Sequence, residues 1–220
     1  MNYIKSLVVL FDQRLSRKEI FCFRGAVINS DKTEDNILLH GHQDDNYRYS
    51  YPLIQYKSIN GQAGIVALED GIPVVEKLMM AFPQELIIGK RAATFYIAES
   101  YACSTDVDFT DIPLRYSLKD WIPLSQENYP KYRKLVGKAE KIKFLEQILV
   151  GNILSFAKGI GVLMSERVEI TLVDVIEKPN VTLKNCQVSC FDTVFNTNVR
   201  LPVCLGLGKG VSKGFGTISK

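Results

Sequence analysis

Residues 51–68 read YPLIQYKSINGQAGIVAL, two runs rich in β-branched and aromatic residues on either side of Asn60-Gly61. An Asn-Gly pair in that setting is a strong hairpin signal, because both central residues of a type I′ turn take positive φ. Tyr51–Ser58 and Gly64–Leu68 are therefore expected to pair as antiparallel strands. Upstream, Tyr3–Phe11 (YIKSLVVLF) has strand composition, and Ser16 with Glu19 three residues later forms a capping-box signature for a helix running to Ala26–Ile28. Downstream, Glu69-Asp70-Gly71 opens a second helix with Val74, Val75, Leu78 and Met79 at helical spacing; Pro83 ends it before a short strand, Glu85–Ile88. The order β-α-β-β-α-β is the ferredoxin-like plan, with two helices on one sheet face and the other face open to a partner.

The remainder repeats this logic less regularly. Thr94–Tyr101 and Leu114–Leu124 read as strands, one long helix is expected from Pro130 to about Lys158, and Val168–Ile176 and Cys186–Phe195 supply further strands. A glycine-rich loop then leads into Thr217–Lys220. The expected fold class is α+β: two tandem ferredoxin-like (RRM-like) domains, residues 1–92 carrying the histidines and residues 93–220 carrying a basic helix and the glycine-rich loop. With 220 residues, 46% of them hydrophobic, the chain has the material for such cores and is not a disordered segment. No apolar run reaches the ~18 residues of a membrane span, and the opening segment lacks signal-peptide flanks, so a cytoplasmic protein is expected. Cys22, Cys103, Cys186, Cys190 and Cys204 are odd in number and lack CxxC spacing. They are expected to be reduced thiols packed as small hydrophobes.

A net charge of +3 attracts polyanions weakly, so the distribution of charge carries the argument. Lys131, Arg133, Lys134, Lys138, Lys141 and Lys143 crowd together with only Glu140 opposing them. Such a stripe raises phosphate affinity by counterion release, although by itself it also fits a solvated helix face. Both histidines of the chain lie in Leu38-Leu39-His40-Gly41-His42. Imidazole takes and gives protons near neutral pH, which RNA cleavage by the adjacent 2′-hydroxyl requires: a base at that hydroxyl and an acid at the departing 5′-oxygen. In an extended backbone His40 and His42 project to the same side. Lys57, Arg48 or one of Tyr47, Tyr49 and Tyr51 would then steady the transition-state charge. A metal reading through His40, His42, Asp44 and Asp45 falls short of the three or four ligands a zinc site needs, so neither metal nor cofactor is expected.

The C-terminal run Gly206-Leu207-Gly208-Lys209-Gly210-Val211-Ser212-Lys213-Gly214-Phe215-Gly216 interleaves five glycines with two lysines. Backbone N–H groups freed of Cβ crowding would cradle phosphate, Lys209 and Lys213 would add charge, and Phe215 would offer a stacking face. The spacing matches neither a Walker loop nor a dinucleotide fingerprint.

LLHGH followed by YPLIQYK, together with GLGKGVSKGFG at the C-terminus, resembles the CRISPR-associated Cas six family, in particular its b-type subfamily. The resemblance spans almost the whole chain. It implies tandem ferredoxin-like domains, binding of CRISPR repeat RNA, and one metal-independent cut that leaves a 2′,3′-cyclic phosphate and a 5′-hydroxyl. It also suggests a homodimer; a CRISPR effector complex is a further candidate partner, and the lack of an apolar span leaves no membrane partner expected. On this resemblance His40 and His42 are the catalytic pair, Lys57 and Tyr47 are candidates for support, and Gly206 through Gly216 forms the RNA-contacting loop. Arg24, Arg48, Lys138 and Lys141 complete the expected RNA-binding set.

The local chemistry alone also admits a non-catalytic RNA-binding subunit, since binding does not require paired imidazoles. A small-molecule enzyme on the same scaffold is a third reading, because fold does not fix function.

Overall fold

The computed structural model describes residues 2–30, 51–183 and 186–220. Strand β1 (Tyr3–Arg14) is followed by helix α1 (Arg17–Ser30), and β2 (Ile54–Ile59) and β3 (Gln62–Leu68) form the expected hairpin. Asn60 and Gly61 take φ of 51° and 82°, the positive pair of a type I′ turn. Helix α2 (Gly71–Met80) comes next, then the short strands β4 (Glu85–Ile88) and β5 (Arg91–Thr94), and then β6 (Ile97–Asp106). The start of α1 is set by its capping box: the Ser16 backbone N–H and Oγ donate to Glu19 Oε2 at 2.9 and 2.7 Å, and Glu19 N–H donates to the Ser16 carbonyl. These bonds, the hydroxyl first, pull the Glu19 carboxyl below its ordinary pKa. Ser16→Ala is expected to lower stability by about 1 kcal/mol, read as a shifted urea midpoint at unchanged m-value.

The sheet runs β2-β3-β1-β6, the ferredoxin-like order, with one correction to the expected assignment. Glu85–Ile88 is not the fourth strand; it pairs with β5 as a separate hairpin, and the place beside β1 goes to β6. Four residues are too few to span this sheet, whereas the ten of β6 do. The first unit accordingly comprises Tyr3–Thr105 and, from the far end of the chain, Val211–Gly214. The expected boundary at 92/93 falls inside this unit, because β6 stays with the first sheet.

Ile20, Phe23 and Val27, on one stripe of α1, bury against Val9, Phe11, Tyr56, Ile65 and Ala67 of the sheet, and Val75 and Leu78 of α2 join the same core. Phe11 anchors it, edge-on to Phe23 and Phe95 and stacked on Phe82 at 4.8 Å. The opposite sheet face is not the open platform expected: Val8, Val66 and Leu68 on it are buried, as are Ser6, Gln55 and Lys57.

In the second unit (Met1–Asn2, Asp106–Gly210, Phe215–Lys220) the elements are β7 (Phe109–Trp121), α3 (Asn128–Lys134), α4 (Lys138–Gly159), β8 (Ile170–Leu183), β9 (Cys186–Val199) and β10 (Thr217–Ser219). The sheet order β10-β7-β9-β8 repeats the order of the first unit. Between β9 and β10, where a second helix would stand, the chain runs through the glycine-rich segment instead, so this half is less regular. The single helix expected from Pro130 to Lys158 is two: Leu135 turns extended with ψ 128°, and Gly137 caps α4 with Glu140 as its box partner. Leu145, Leu149, Ile153 and Phe156 of α4 cover the sheet. Trp121, Phe191 and Tyr132 pack edge to face beneath.

The thiols also depart from expectation. Only Cys190 is buried; Cys22 and Cys204 are partly covered, and Cys103 and Cys186 are exposed on strands whose outer residues face solvent. No helix among the described residues is long and apolar enough to cross a membrane.

Candidate nucleic-acid interface

In the first unit, α1 presents an aromatic face beside cations. Phe21 is 60% exposed, and Arg24 lies one turn further along the same side of the helix. Lys213, brought in by the C-terminal segment, forms a parallel bridge with Tyr56 of β2. Its Nζ lies 5.4 Å from the Phe21 ring centroid, within cation–π range. Gly214 lets the segment sit this close: φ is +88°, and a Cβ there would meet Ile20 Cγ2 at 3.0 Å. Burial pulls the Arg24 guanidinium below its ordinary pKa, and neighbouring Tyr56 acts in the opposite sense. An arginine so placed keeps its charge at neutral pH.

In the second unit the glycine-rich segment is held by close backbone packing. A Cβ on Gly208 (φ +91°) would meet the Trp121 ring at 2.7 Å, and one on Gly210 (φ +70°) would meet Phe215 at 2.8 Å. The N–H groups of Leu207, Lys209 and Gly216 donate to the carbonyls of Gly216, Ile122 and Asp120. These three donors therefore shape the loop. Lys209 is exposed on this loop. Nearby, the basic residues of α3 occupy its last turn, where they complement the helix dipole, whereas Lys138, Lys141 and Lys143 crowd the start of α4, where they oppose it. Cations that the helix itself disfavours suit an external anion. Lys141 also sits 5.4 Å over the Tyr132 ring.

Family models for the N-terminal and C-terminal domains of Cas6b match residues 2–104 and 108–220. The chain belongs to the Cas6b family. A crystal structure of a Cas6b is similar over 99% of both chains, with 28% identity and a TM-score of 0.88. A second, described as the CRISPR RNA processing endoribonuclease Cas6b, covers 99% of both at 24% identity and a TM-score of 0.77. An uncharacterised protein of Methanocaldococcus jannaschii is 37% identical over 101 residues, 46% of this chain and 67% of the relative.

The structure places the expected site residues of this Cas6b chain unevenly. His40, His42, Tyr47 and Arg48 lie outside the described residues, in the stretch that links α1 to β2. Arg24 and Lys213 both lie in the first unit, each beside Tyr56. Lys57, the candidate supporting cation on β2, is fully buried opposite Gly64. Phe215 is only 3% exposed; it packs against Gly210 and has no open face for a base, which corrects its stacking role. Gly206 is buried and bridges Thr217. Lys138 is exposed at the start of α4.

Phe21 escapes the linear reading, because an aromatic in a helix window reads as core until the helix's rotation is known. So does the ion cluster that braces the loop. Lys178 Nζ contacts Asp120 Oδ1 at 2.7 Å and Asp192 Oδ1 at 3.4 Å, Lys119 reaches Asp192 Oδ2 at 3.2 Å, and Asp120 N–H donates to Asp192 Oδ1 at 2.8 Å. Burial would raise the Asp192 pKa, but the Asp120 N–H, Lys119 and Lys178 outweigh it and the carboxyl titrates below its ordinary value. A lowered folded-state pKa stabilises above the unfolded value of about 3.9, and the benefit is lost as pH falls through the folded value. Wild type is therefore expected to melt above Asp192→Asn at neutral pH, with the gap narrowing below about pH 4 in a thermal titration.

Proposed function

We propose that this chain is a CRISPR RNA processing endoribonuclease that cuts repeat RNA without a metal. One imidazole of the His40/His42 pair removes the proton of the 2′-hydroxyl, whose oxygen attacks the adjacent phosphorus. The other protonates the departing 5′-oxygen, which leaves a 2′,3′-cyclic phosphate and a 5′-hydroxyl. Tyr47 and Arg48 flank the pair in sequence and steady the charge that builds on the phosphate. The exposed Phe21 of α1, with the half-buried Arg24 and with Lys213, and the lysines of α4 hold the strand. The observation that carries this reading is Lys213 of the glycine-rich segment poised over Phe21 in the unit whose chain bears both histidines. The same proposal includes a homodimer, association with a CRISPR effector complex, and work in the cytoplasm.

The test is repeat RNA incubated with the protein in excess chelator, with mass spectrometry of the upstream fragment. A single cut ending in the cyclic phosphate is expected. Cleavage that stops with chelator and returns with a divalent ion would overturn the mechanism. Salt-sensitive binding with no product at any pH would instead assign a non-catalytic RNA-binding subunit.

A further inference from the structure

Helix α4 contains a glycine that its own fold does not explain. Gly151 stands near the middle of 22 helical residues, and a Cβ built there meets nothing within 4 Å. Its φ is not positive, so alanine would fit and would favour the helix, whose interior glycine disfavours. Gly151 lines an open cleft of about 470 Å³ in the second unit, within the size range of small-molecule sites, roughly 300–1,000 Å³. Phe144 and Gln147 precede it on the same side of the helix, at spacings that put them on one face.

The lining chemistry selects the occupant. Phe144 supplies an aromatic wall, braced by Tyr132 with ring centroids 6.3 Å apart. Asn152 uses its Oδ1 to accept the Trp121 indole N–H at 2.9 Å, which fixes the amide and directs its N–H donors elsewhere. Asn128 and Gln147 add two amides able to donate and accept; among the described residues Lys209 is the one cation of the lining and no carboxylate joins it. A free anion would want more cations, and a metal would want acids. One aromatic wall, three amides and one lysine match a planar, polar-edged ring that carries a phosphate, as in RNA recognition by stacking and edge hydrogen bonds.

We infer that this cleft receives one unpaired base of the bound RNA, with Lys209 on its phosphate and Gly151 lacking a side chain so that the base can enter. The inference rests on the reading of the chain as an RNA-processing protein, and deepens it by naming a base-reading site away from the histidines in sequence. Gly151→Leu fills the cleft from a helix that should tolerate it. The probe is repeat RNA made as a series with a single abasic nucleotide at each position, and the measurements are affinity by fluorescence anisotropy and thermal melting of each protein.

For wild type, one abasic position is expected to weaken binding about tenfold. For Gly151→Leu, intact RNA is expected to bind about tenfold more weakly, that abasic position to become silent, and the melting temperature to hold or rise. Should Gly151→Leu melt lower, the exposed Gln147→Ala is to show the same silencing. A well-folded Gly151→Leu that binds the whole series as wild type does would overturn the cleft assignment and leave the RNA reading intact. Wild type that binds no repeat RNA would overturn both.

Discussion

Replacing His40 and His42 together by alanine is expected to slow RNA cleavage by about 10²-fold or more, while RNA affinity stays near that of wild type. The size follows from what the two groups are asked to do. A ribose hydroxyl is a poor nucleophile with its proton on, and an alkoxide is a poor leaving group without one. Each imidazole removes one of those barriers, and general acid–base groups contribute about 10²–10⁴-fold. If both act, the rate should follow a bell-shaped pH profile near neutrality, and each single variant should lose one limb of the bell. The affinity measurement separates chemistry from grip, since Arg24, Lys213 and the α4 lysines are untouched in the variant. A double variant that cuts at the wild-type rate would remove the histidines from the mechanism.

The largest stability loss is expected from Gly216→Ala. Its φ is +63°, and a Cβ would lie 1.9 Å from the Leu207 carbonyl oxygen, an atom that cannot rotate aside as a side chain can. The methyl would have to push the two backbone arms apart, breaking the bond from Leu207 N–H to the Gly216 carbonyl at 2.8 Å and that from Gly216 N–H to the Asp120 carbonyl at 3.0 Å. Left-handed strain of about 1–2 kcal/mol, overpacking of about 1–3 kcal/mol and two weakened hydrogen bonds point to about 4 kcal/mol. That is a large share of the roughly 5–15 kcal/mol of a whole domain. Gly161→Ala is the control: φ is +76° but nothing lies within 4 Å of its Cβ. It should lose only the conformational share, about 1 kcal/mol. Equal melting of the two variants would show that close approach is not what selects glycine at 216.

The first unit is legible where a local signal decides the structure. Asn60-Gly61 fixes the hairpin and hence the register that sends Ile54 and Tyr56 to the core, and Ser16 with Glu19 fixes the start of α1. The fourth strand is misassigned because Glu85–Ile88 and Ile97–Asp106 are both plausible strands in isolation, and only long-range pairing with β1 chooses between them. The break between α3 and α4 hides behind a continuous run of helix-forming, charged residues, with Gly137 its one local sign. In the candidate site, the lysines and glycines of the C-terminal run stand out by composition, but not that Phe215 faces inward while Phe21 faces out. Ring direction depends on how an element is rotated against its neighbours, which a single chain read linearly does not encode.

The missing helix before β10 has a consequence for how the last strand exists at all. In the first unit α2 carries much of its own backbone bonding before the chain reaches the hairpin and β6. In the second unit the Leu205 carbonyl accepts from Ile218, and the N–H groups of Cys204 and Leu207 donate to Ile218 and Gly216, stitching the loop's two arms together. The three residues of β10 thus lean on two supports at once, the neighbouring strand β7 and the stitched glycine segment, so whatever loosens that segment also loosens the final edge of the sheet.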